Sequence, residues 1–165
     1  TPHLTLREST VSDVEDFYRI YQDPSITKYM ERLFPDRDEE RSYMKDYIQK
    51  IYGFYGFGLW SVIHTVTGTV IGRAGLSVRE GYEIPELGFV TEVAFQHQGY
   101  TYEICEAILR YARDELEFPQ VQAFCHPENT ASLHLLQKLG FTYAGEDLLQ
   151  GIPHARYIVS LPKSC

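Results

Sequence analysis

Residues 85–117 combine a strand pattern, a polar turn and a helix pattern in an order that suits phosphate binding. Apolar or β-branched residues first occupy every second position, at Leu87, Phe89, Thr91 and Val93. Further on they follow helical spacing, at Ile104, Ile108, Tyr111, Ala112 and Leu116. The turn 96–101, which contains Gly99, therefore precedes a helix. The first backbone N–H groups of a helix lack carbonyl partners within it, so phosphate binds there readily.

This segment resembles the acetyl-CoA-binding core of the GNAT superfamily of N-acetyltransferases, and most closely its RimJ/RimL-type branch. The family's loop reads Gln/Arg-x-x-Gly-x-Gly/Ala, and here it reads Gln96-His97-Gln98-Gly99-Tyr100-Thr101. His97 stands where the family usually has a further glycine, and Thr101 where it has Gly or Ala. Residues 127–132 and 137–141 resemble the family's Asn-x-x-Ser/Ala…Lys-x-Gly-Phe signature nearly residue for residue. The resemblance runs over almost the whole chain.

The resemblance implies acetyl-CoA as the cosubstrate. The backbone N–H groups of the loop would hold its diphosphate, at Gln96, His97, Gln98, Gly99, Tyr100 and Thr101. The backbone of Phe89, Val90 and Thr91 would pair with the pantetheine arm, and an N–H there would polarise the thioester carbonyl. Asn129 would hydrogen-bond to the pantetheine amides. Read without the family, 89–91 is an ordinary central strand and Asn129 a helix N-cap, a role compatible with ligand binding.

The resemblance also suggests two catalytic residues. Glu86, at the Glu-Leu-Gly position common in this branch, would take the proton of the amine directly or through water, or attract the ammonium. Glu92 is the second candidate. Many family members place a proton-donating tyrosine seven residues after the asparagine, but that position is Leu136 here, which leaves Ser132 as the substitute acid. On the residues alone, Glu86 is a solvent-facing strand carboxylate and Ser132 is helix surface.

The surrounding sequence predicts the elements that position these residues. Alternation and turn signals predict further strands at 4–7, 59–63, 69–76, 121–125, 143–146 and 155–161. Helices are expected to begin at Thr10 and at Pro35-Asp36, with another over 130–139. Breaks are expected at Asp23-Pro24, in the glycine-rich segment 53–58, at Thr67-Gly68 and at Gly140.

Composition narrows the classes of partner. The net charge of −8 argues against non-specific binding to nucleic acid or membranes, and it suits a cationic partner such as an amine, although acidity also serves solubility alone. We see neither a signal peptide nor an apolar run near the roughly 18 residues of a membrane helix, so we expect a cytoplasmic protein. Cys105, Cys125 and Cys165 show no metal spacing, which favours reduced thiols and implies no metal.

From the resemblance we expect one domain, 1–165, with the α/β GNAT fold: a mixed, twisted sheet of about seven strands flanked by helices. The expected activity is direct transfer of acetyl from acetyl-CoA to a primary amine, on a protein N-terminus, polyamine, aminoglycoside or amino acid, by a monomer or homodimer. A CoA-binding regulatory module with weak or no turnover is the alternative, motivated by His97, Thr101 and Leu136. A Rossmann-like nucleotide-binding protein ranks last, because the N-terminus lacks a glycine-rich turn followed by an acidic residue.

Overall fold

The alternating segments form the strands of a mixed sheet in the computed structural model, which describes residues 1–163. Seven strands in the described chain confirm the expected number: β1 (Leu4–Arg7), β2 (Leu59–His64), β3 (Thr69–Ser77), β4 (Glu86–Thr91), β5 (Gln120–Cys125), β6 (Thr142–Leu149) and β7 (Ile152–Ser160). Their order is β1-β2-β3-β4-β5-β7-β6. The described pairings are antiparallel except for β4 with β5, which are parallel with Glu86 opposite Gln122.

Helices connect the strands. They are α1 (Val14–Tyr21), α2 (Pro24–Thr27), α3 (Arg37–Tyr47), α4 (Gly53–Tyr55), α5 (Tyr100–Asp114) and α6 (Thr130–Lys138). Short 3₁₀ turns precede α1 at Val11–Asp13 and follow β4 at Val93–Phe95, and a π-helical turn, Ile48–Tyr52, joins α3 to α4. None of the helices in the described residues has the length and apolar composition of a membrane span.

The described chain divides into two units. Unit 1 comprises Thr1–Gly75 and Phe89–Ile104, and unit 2 comprises Leu76–Gly88 and 105–163. In unit 1, α1, α2 and α3 bury apolar side chains together with two strand residues, in a cluster of Val14, Phe17, Ile20, Ile26, Met44, Val70 and Val90. The single domain expected from the sequence stays a prediction.

Several predicted boundaries differ from the structure for local reasons. The segment expected to be a turn from Gly53 continues the helical run through α4, and Gly56, the residue after α4, has a left-handed φ of 75°. Asp23-Pro24 ends α1 and also starts α2, because Asp23 caps the new helix by accepting from the Ser25 N–H and proline suits its first position. Tyr111, expected among the apolar positions of the helix after the turn, is exposed.

Other local signals agree with the structure. Gly140 follows α6 with φ 92°, and the Phe141 N–H reaches the Leu136 carbonyl at 3.0 Å, as in a Schellman cap. Gly68 has φ 71° in the loop between β2 and β3. Cys105 and Cys125 are free and buried, as expected of reduced thiols, while Cys165 lies outside the described residues.

One buried carboxylate holds the start of unit 1 together. Asp13 accepts two hydrogen bonds from Arg7, at 2.6 and 2.8 Å, one from the Thr10 N–H at 2.9 Å and one from the Ser61 hydroxyl at 2.8 Å. These contacts tie β1 and β2 to the turn that begins α1. Burial works to raise the pKa of Asp13, but the hydrogen bonds from Arg7, Thr10 and Ser61 outweigh it, so the pKa lies below its ordinary value.

We predict that Asp13→Asn lowers the free energy of unfolding at pH 7 by about 2 kcal/mol, because Arg7 and Ser61 lose a charged acceptor. A carboxyl with a folded pKa below its unfolded pKa stabilises the fold at neutral pH. That contribution is lost as the pH falls through the folded value. Urea unfolding should therefore show wild-type stability falling in acid more steeply than that of the variant.

Asp114→Asn is the matched control, since Asp114 also pairs with an arginine, Arg113, and also has a lowered pKa, but is exposed to solvent. Water and salt screen that pair, so the urea midpoint should not change. Equal effects of both substitutions would show that burial of Asp13 is irrelevant.

Candidate functional site

The turn between β4 and α5 has an unusual backbone. His97 has φ 61° and Gly99 has φ 82°, both in the left-handed region. Glycine enters this region without steric cost, whereas His97 does so with its side chain present. The position where the resembling family usually has a further glycine is thus one whose conformation favours glycine. A Cβ added at Gly99 would meet open space, so it is the backbone conformation that requires this glycine.

Side chains hold this turn in place within unit 1. The Gln96 side-chain amide donates to the Thr91 carbonyl at 2.8 Å, which joins the turn to the end of β4. The hydroxyls of Thr91 and Thr101 lie 2.7 Å apart, so Thr101, where the family has Gly or Ala, hydrogen-bonds strand to helix. The first intrahelical bond runs from the Glu103 N–H to the Gly99 carbonyl at 3.0 Å. The N–H groups of Tyr100 and Thr101 precede this bond, at the positive end of the 15-residue helix α5.

The strand that enters the turn approaches its neighbour closely. A Cβ added at Gly72 on β3 would lie 2.2 Å from the Val90 carbonyl oxygen, so glycine is required there for β3 and β4 to meet. The Glu92 N–H donates to the Ile71 carbonyl at 2.7 Å just beyond this point. The Val90 side chain is buried in the unit 1 cluster. Phe89, Val90 and Thr91 thus present their backbone from a closely packed strand.

Glu92, the second candidate base, is committed elsewhere. Arg19 donates from Nε to its carboxylate at 3.2 Å, and Arg19 also bonds to Asp16 and to the Val70 carbonyl. The ion pair between Glu92 and Arg19 therefore joins α1 to the end of β4. This structural role accounts for Glu92 without a catalytic function.

Glu86 lies in a cavity of about 480 Å³ in unit 2. The cavity lining includes Ser77, Arg79, Glu80, Tyr82, Glu86 and Leu148. Arg79 donates to both carboxylate oxygens of Glu86, at 2.9 to 3.2 Å, and the Ser77 hydroxyl lies 3.4 Å away. The Glu86 side chain is 13% exposed, so the predicted base is accessible but already holds a cation. An amine that reaches Glu86 must share it with Arg79 or replace Arg79.

A layer of aromatic and guanidinium groups positions Arg79. Its guanidinium lies over the Phe124 ring at 5.2 Å, and Tyr82 packs edge-on against the same ring. Arg156 lies over Tyr82 at 5.1 Å and donates to the side chain of Gln122 at 2.8 Å. This stacking restricts Arg79, so its pairing with Glu86 is directional rather than that of a free surface arginine.

Asn129 and Ser132 meet at the start of α6. The Asn129 side-chain oxygen accepts from the Ser132 N–H at 3.3 Å, which makes Asn129 the N-cap. Burial raises the pKa of the neighbouring Cys125 thiol, and a hydrogen bond with Ser132 works in the opposite direction. Ser132 is thus placed beside a buried thiol, and Leu136, the position of the family tyrosine, is fully buried. The Asn129 amide nitrogen takes no part in the cap.

The predicted site residues therefore fall into two sets. Unit 1 brings together the turn 96–101 and Phe89, Val90 and Thr91, while Glu86, Asn129 and Ser132 lie in unit 2. Sequence reasoning missed Arg79, because a single arginine between two strands carries no signal of a partner. It also missed the role of Gly72, although the Ile-Gly-x-x-Gly-Leu pattern at 71–76 pointed to a close backbone approach.

Comparison with known proteins adds a family match and relatives over most of the chain. Residues 3–142 match the model of the acetyltransferase (GNAT) domain. N-acetyltransferase YnaD of Bacillus subtilis is 28% identical over 146 residues, 88% of this chain and 82% of the relative. N-acetyltransferase p20 of Bacillus licheniformis is 29% identical over 149 residues, with the same shares of each chain.

Solved structures show the same fold at low sequence identity. The spermidine N-acetyltransferase of Vibrio cholerae, solved with CoA and spermine, has a TM-score of 0.81 and 18% identity, covering 98% of this chain and 97% of that chain. An acetyltransferase from Agrobacterium tumefaciens has a TM-score of 0.80 and 20% identity, covering 96% and 91%. Identities this low carry the fold and not the choice of acceptor.

We predict that His97→Gly raises the free energy of unfolding by up to about 1 kcal/mol. The substitution removes the strain of a left-handed side-chain-bearing residue, and the greater conformational freedom of glycine in the unfolded chain offsets part of that gain. Gly99→Ala should lower the free energy of unfolding by about 1 kcal/mol for the reverse reason. Acetyl-CoA affinity should survive His97→Gly, which keeps the backbone N–H, and fall in Gly99→Ala. Chemical unfolding and isothermal titration measure the two effects.

Gln98→Gly is the matched control, since Gln98 lies in the same turn but outside the left-handed region. Added chain freedom, together with loss of the exposed 3.3 Å hydrogen bond from the Gln98 side chain to the Ala94 carbonyl, should make this variant less stable than the wild type. The strain argument is wrong if His97→Gly destabilises the protein as much as Gln98→Gly does.

Proposed function

The chain belongs to the GNAT family of acetyltransferases, which makes it an acyltransferase that uses acetyl-CoA, and we propose that it transfers acetyl directly to a primary amine. The left-handed turn at His97 and Gly99 carries the proposal, because it presents the N-terminus of α5 as a diphosphate site. Phosphate-binding loops use the same combination of positive φ and free N–H groups.

Acetyl-CoA supplies an activated thioester, and the residues of unit 1 suit its binding. The turn 96–101 would hold the diphosphate with backbone N–H groups, aided by the dipole of α5. The backbone of Phe89, Val90 and Thr91 would pair with the pantetheine arm, and one N–H there would stabilise developing negative charge on the acyl oxygen. The close packing of Gly72 against Val90 supports this, because a rigid strand fixes the N–H direction. The Asn129 amide nitrogen would donate to a pantetheine carbonyl while its oxygen caps α6.

Glu86 would bind the acceptor ammonium and take its proton. It lies in a cavity of about 480 Å³, large enough for a small amine or the end of a peptide. Arg79 holds the carboxylate in one orientation, so the amine meets a positioned acceptor. Ser132 would donate a hydrogen bond or proton to the leaving thiolate, the role that the resemblance to the family gives to this serine.

Narrower assignments are also proposals. The 96–101 and 127–141 motifs favour the RimJ/RimL-type branch. The acidic chain, with net charge −8, favours a cationic acceptor, either a small amine or a protein N-terminus. Membership in a family that uses acetyl-CoA favours a cytoplasmic protein, acting as a monomer or homodimer.

A CoA-binding module without turnover is the second candidate, favoured by the Arg79 contacts that occupy Glu86. One experiment separates the two. Acetyl-CoA at about 100 times its dissociation constant should stabilise the fold by about 2.7 kcal/mol, seen as a higher thermal midpoint. Release of free thiol with a panel of amines then reports transfer. Stabilisation without transfer to any amine favours the module, and no stabilisation at millimolar acetyl-CoA contradicts the binding site itself.

We predict that Ser132→Ala lowers kcat by about tenfold or more with little change in KM for acetyl-CoA, the pattern of an interaction made in the transition state. Glu86→Gln should reduce kcat/KM for the amine, most strongly at lower pH, where the amine is largely protonated and needs a base. Steady-state kinetics across pH 6–9 on a proven acceptor measures both.

Glu106→Gln, the same change at an exposed position of α5, serves as control and should leave the kinetics unchanged. If both site variants keep wild-type turnover, positioning alone drives the reaction and the roles given to Glu86 and Ser132 are wrong.

A further inference from the structure

Arg73 on β3 is a buried cation without an anionic partner among residues 1–163. It is 8% exposed, and its Nε is fully buried with no hydrogen-bond partner in the described chain. The described ion pairs do not include it. A guanidinium keeps its charge in a protein, and a buried charge without a hydrogen-bonded partner is strongly unfavourable. Its unpaired state therefore points to an anion that binds there.

The buried carboxylates of unit 1 do not supply that anion. Ser61 lies opposite Arg73 in the β2–β3 register, but its hydroxyl donates to Asp13. The Asp13 carboxylate already accepts hydrogen bonds from Arg7, Thr10 and Ser61. The other buried carboxylate, Glu40, accepts from the Phe34 N–H at 3.1 Å, and the ion pairs among residues 1–163 do not join it to Arg73. Arg73 thus takes no part in the ion pairs described in its unit.

Arg73 also lies next to the strand that we assign to the thioester. Its guanidinium carbon is 4.6 Å from the Phe17 ring centre, so the side chain extends over the face of the sheet that α1 covers. Phe17 and Val90 belong to one buried cluster. Gly72, the residue before Arg73, is the point where β3 meets the Val90 carbonyl. Arg73 therefore belongs to the strand that neighbours β4, and its guanidinium lies over the buried cluster that β4 shares with α1.

The helical segment near Arg73 is irregular. Tyr47 ends α3, and the π-helical turn Ile48–Tyr52 follows it directly. Burial raises the pKa of Tyr47, and the hydrogen bond from the Leu59 N–H and the positive charge of Arg73 oppose that rise. Isolated π-helical turns occur frequently at functional sites. The hydroxyls of Tyr47, the last residue of α3, and of Tyr52 in the π-helical turn both bond to the backbone of Leu59, which holds this segment against the start of β2.

We propose that Arg73 binds the carboxylate of the acceptor, so that the acceptor is a small molecule with both an amine and a carboxylate, such as an amino acid. The planar guanidinium fork matches a carboxylate in two parallel hydrogen bonds. One acceptor molecule would then place its carboxylate on Arg73 and direct its amine at the thioester held by 89–91. This inference rests on the proposed acetyltransferase function.

Matched acceptor pairs test this proposal: L-leucine with 3-methylbutylamine, L-tyrosine with tyramine, and L-lysine with cadaverine. For at least one pair the wild type should favour the carboxylate-bearing member by tenfold or more in kcat/KM. Arg73→Met, which fills a similar volume without charge, should abolish the preference, and Arg73→Lys should keep part of it. Arg110→Met, the same change at an exposed site on α5, should keep the full preference.

A binding readout separates this proposal from the function it rests on. The amino acids alone should raise the thermal midpoint of the wild type and not of Arg73→Met, with or without acetyl transfer. Acetyl-CoA binding tests the acetyltransferase assignment independently. The proposal is overturned if decarboxylated amines or peptide amides are preferred, or if Arg73→Met weakens acetyl-CoA binding but not dephospho-CoA binding, since Arg73 would then serve the cofactor. It is also overturned if acetate and inorganic phosphate raise the midpoint while the amino acids do not.

Discussion

The chain must pass from β4 into α5 through two left-handed residues, and the proposed cofactor site in unit 1 depends on that turn. Positive φ at His97 and Gly99 shapes the residues between the 3₁₀ turn Val93–Phe95 and the start of α5 at Tyr100. Gln96 and Thr101 then tie the turn back to Thr91, so the helix cannot move away from the strand that precedes it. The site is therefore built from backbone groups, and side chains serve mainly to fix the backbone.

Charge pairing explains why few groups remain available for ligands. Asp13, Glu92 and Glu86 are each held by an arginine, which fixes three different parts of the fold. The Arg79–Glu86 pair differs from the others because it lines a cavity. There an incoming ammonium competes with a resident guanidinium, so the free energy of amine binding includes the cost of disturbing that pair. The cavity consequently favours amines whose extra positive charge or second binding group offsets the cost of disturbing the Arg79–Glu86 pair.

Sequence patterns predicted the regular elements well, because the periodicity at 4–7, 59–76 and 86–91 is local information. They failed where two elements compete for one segment. Gly53 was expected to end the helix, but the helical turn continues because Tyr47 and Tyr52 bond to Leu59 and hold the segment against β2. The partner of Glu86 was also hidden. The Arg79 side chain acquires its direction from Phe124, 45 residues later in the chain, and no spacing rule reports such a contact.

The absence of a tyrosine at Leu136 shifts the chemical argument from proton donation to positioning. A thiol has an ordinary pKa of about 8.5, so a thiolate leaves tolerably well at neutral pH without an acid. Leu136 is fully buried, which means that this side of α6 supplies packing where a family tyrosine would supply a proton. Ser132 has a single proton, and its hydroxyl is already shared with Cys125. Its contribution therefore depends on rotating away from Cys125 when a thiolate develops. Positioning imposes no such competition, because the N–H groups of β4 and α5 are fixed in direction by the backbone before any ligand arrives.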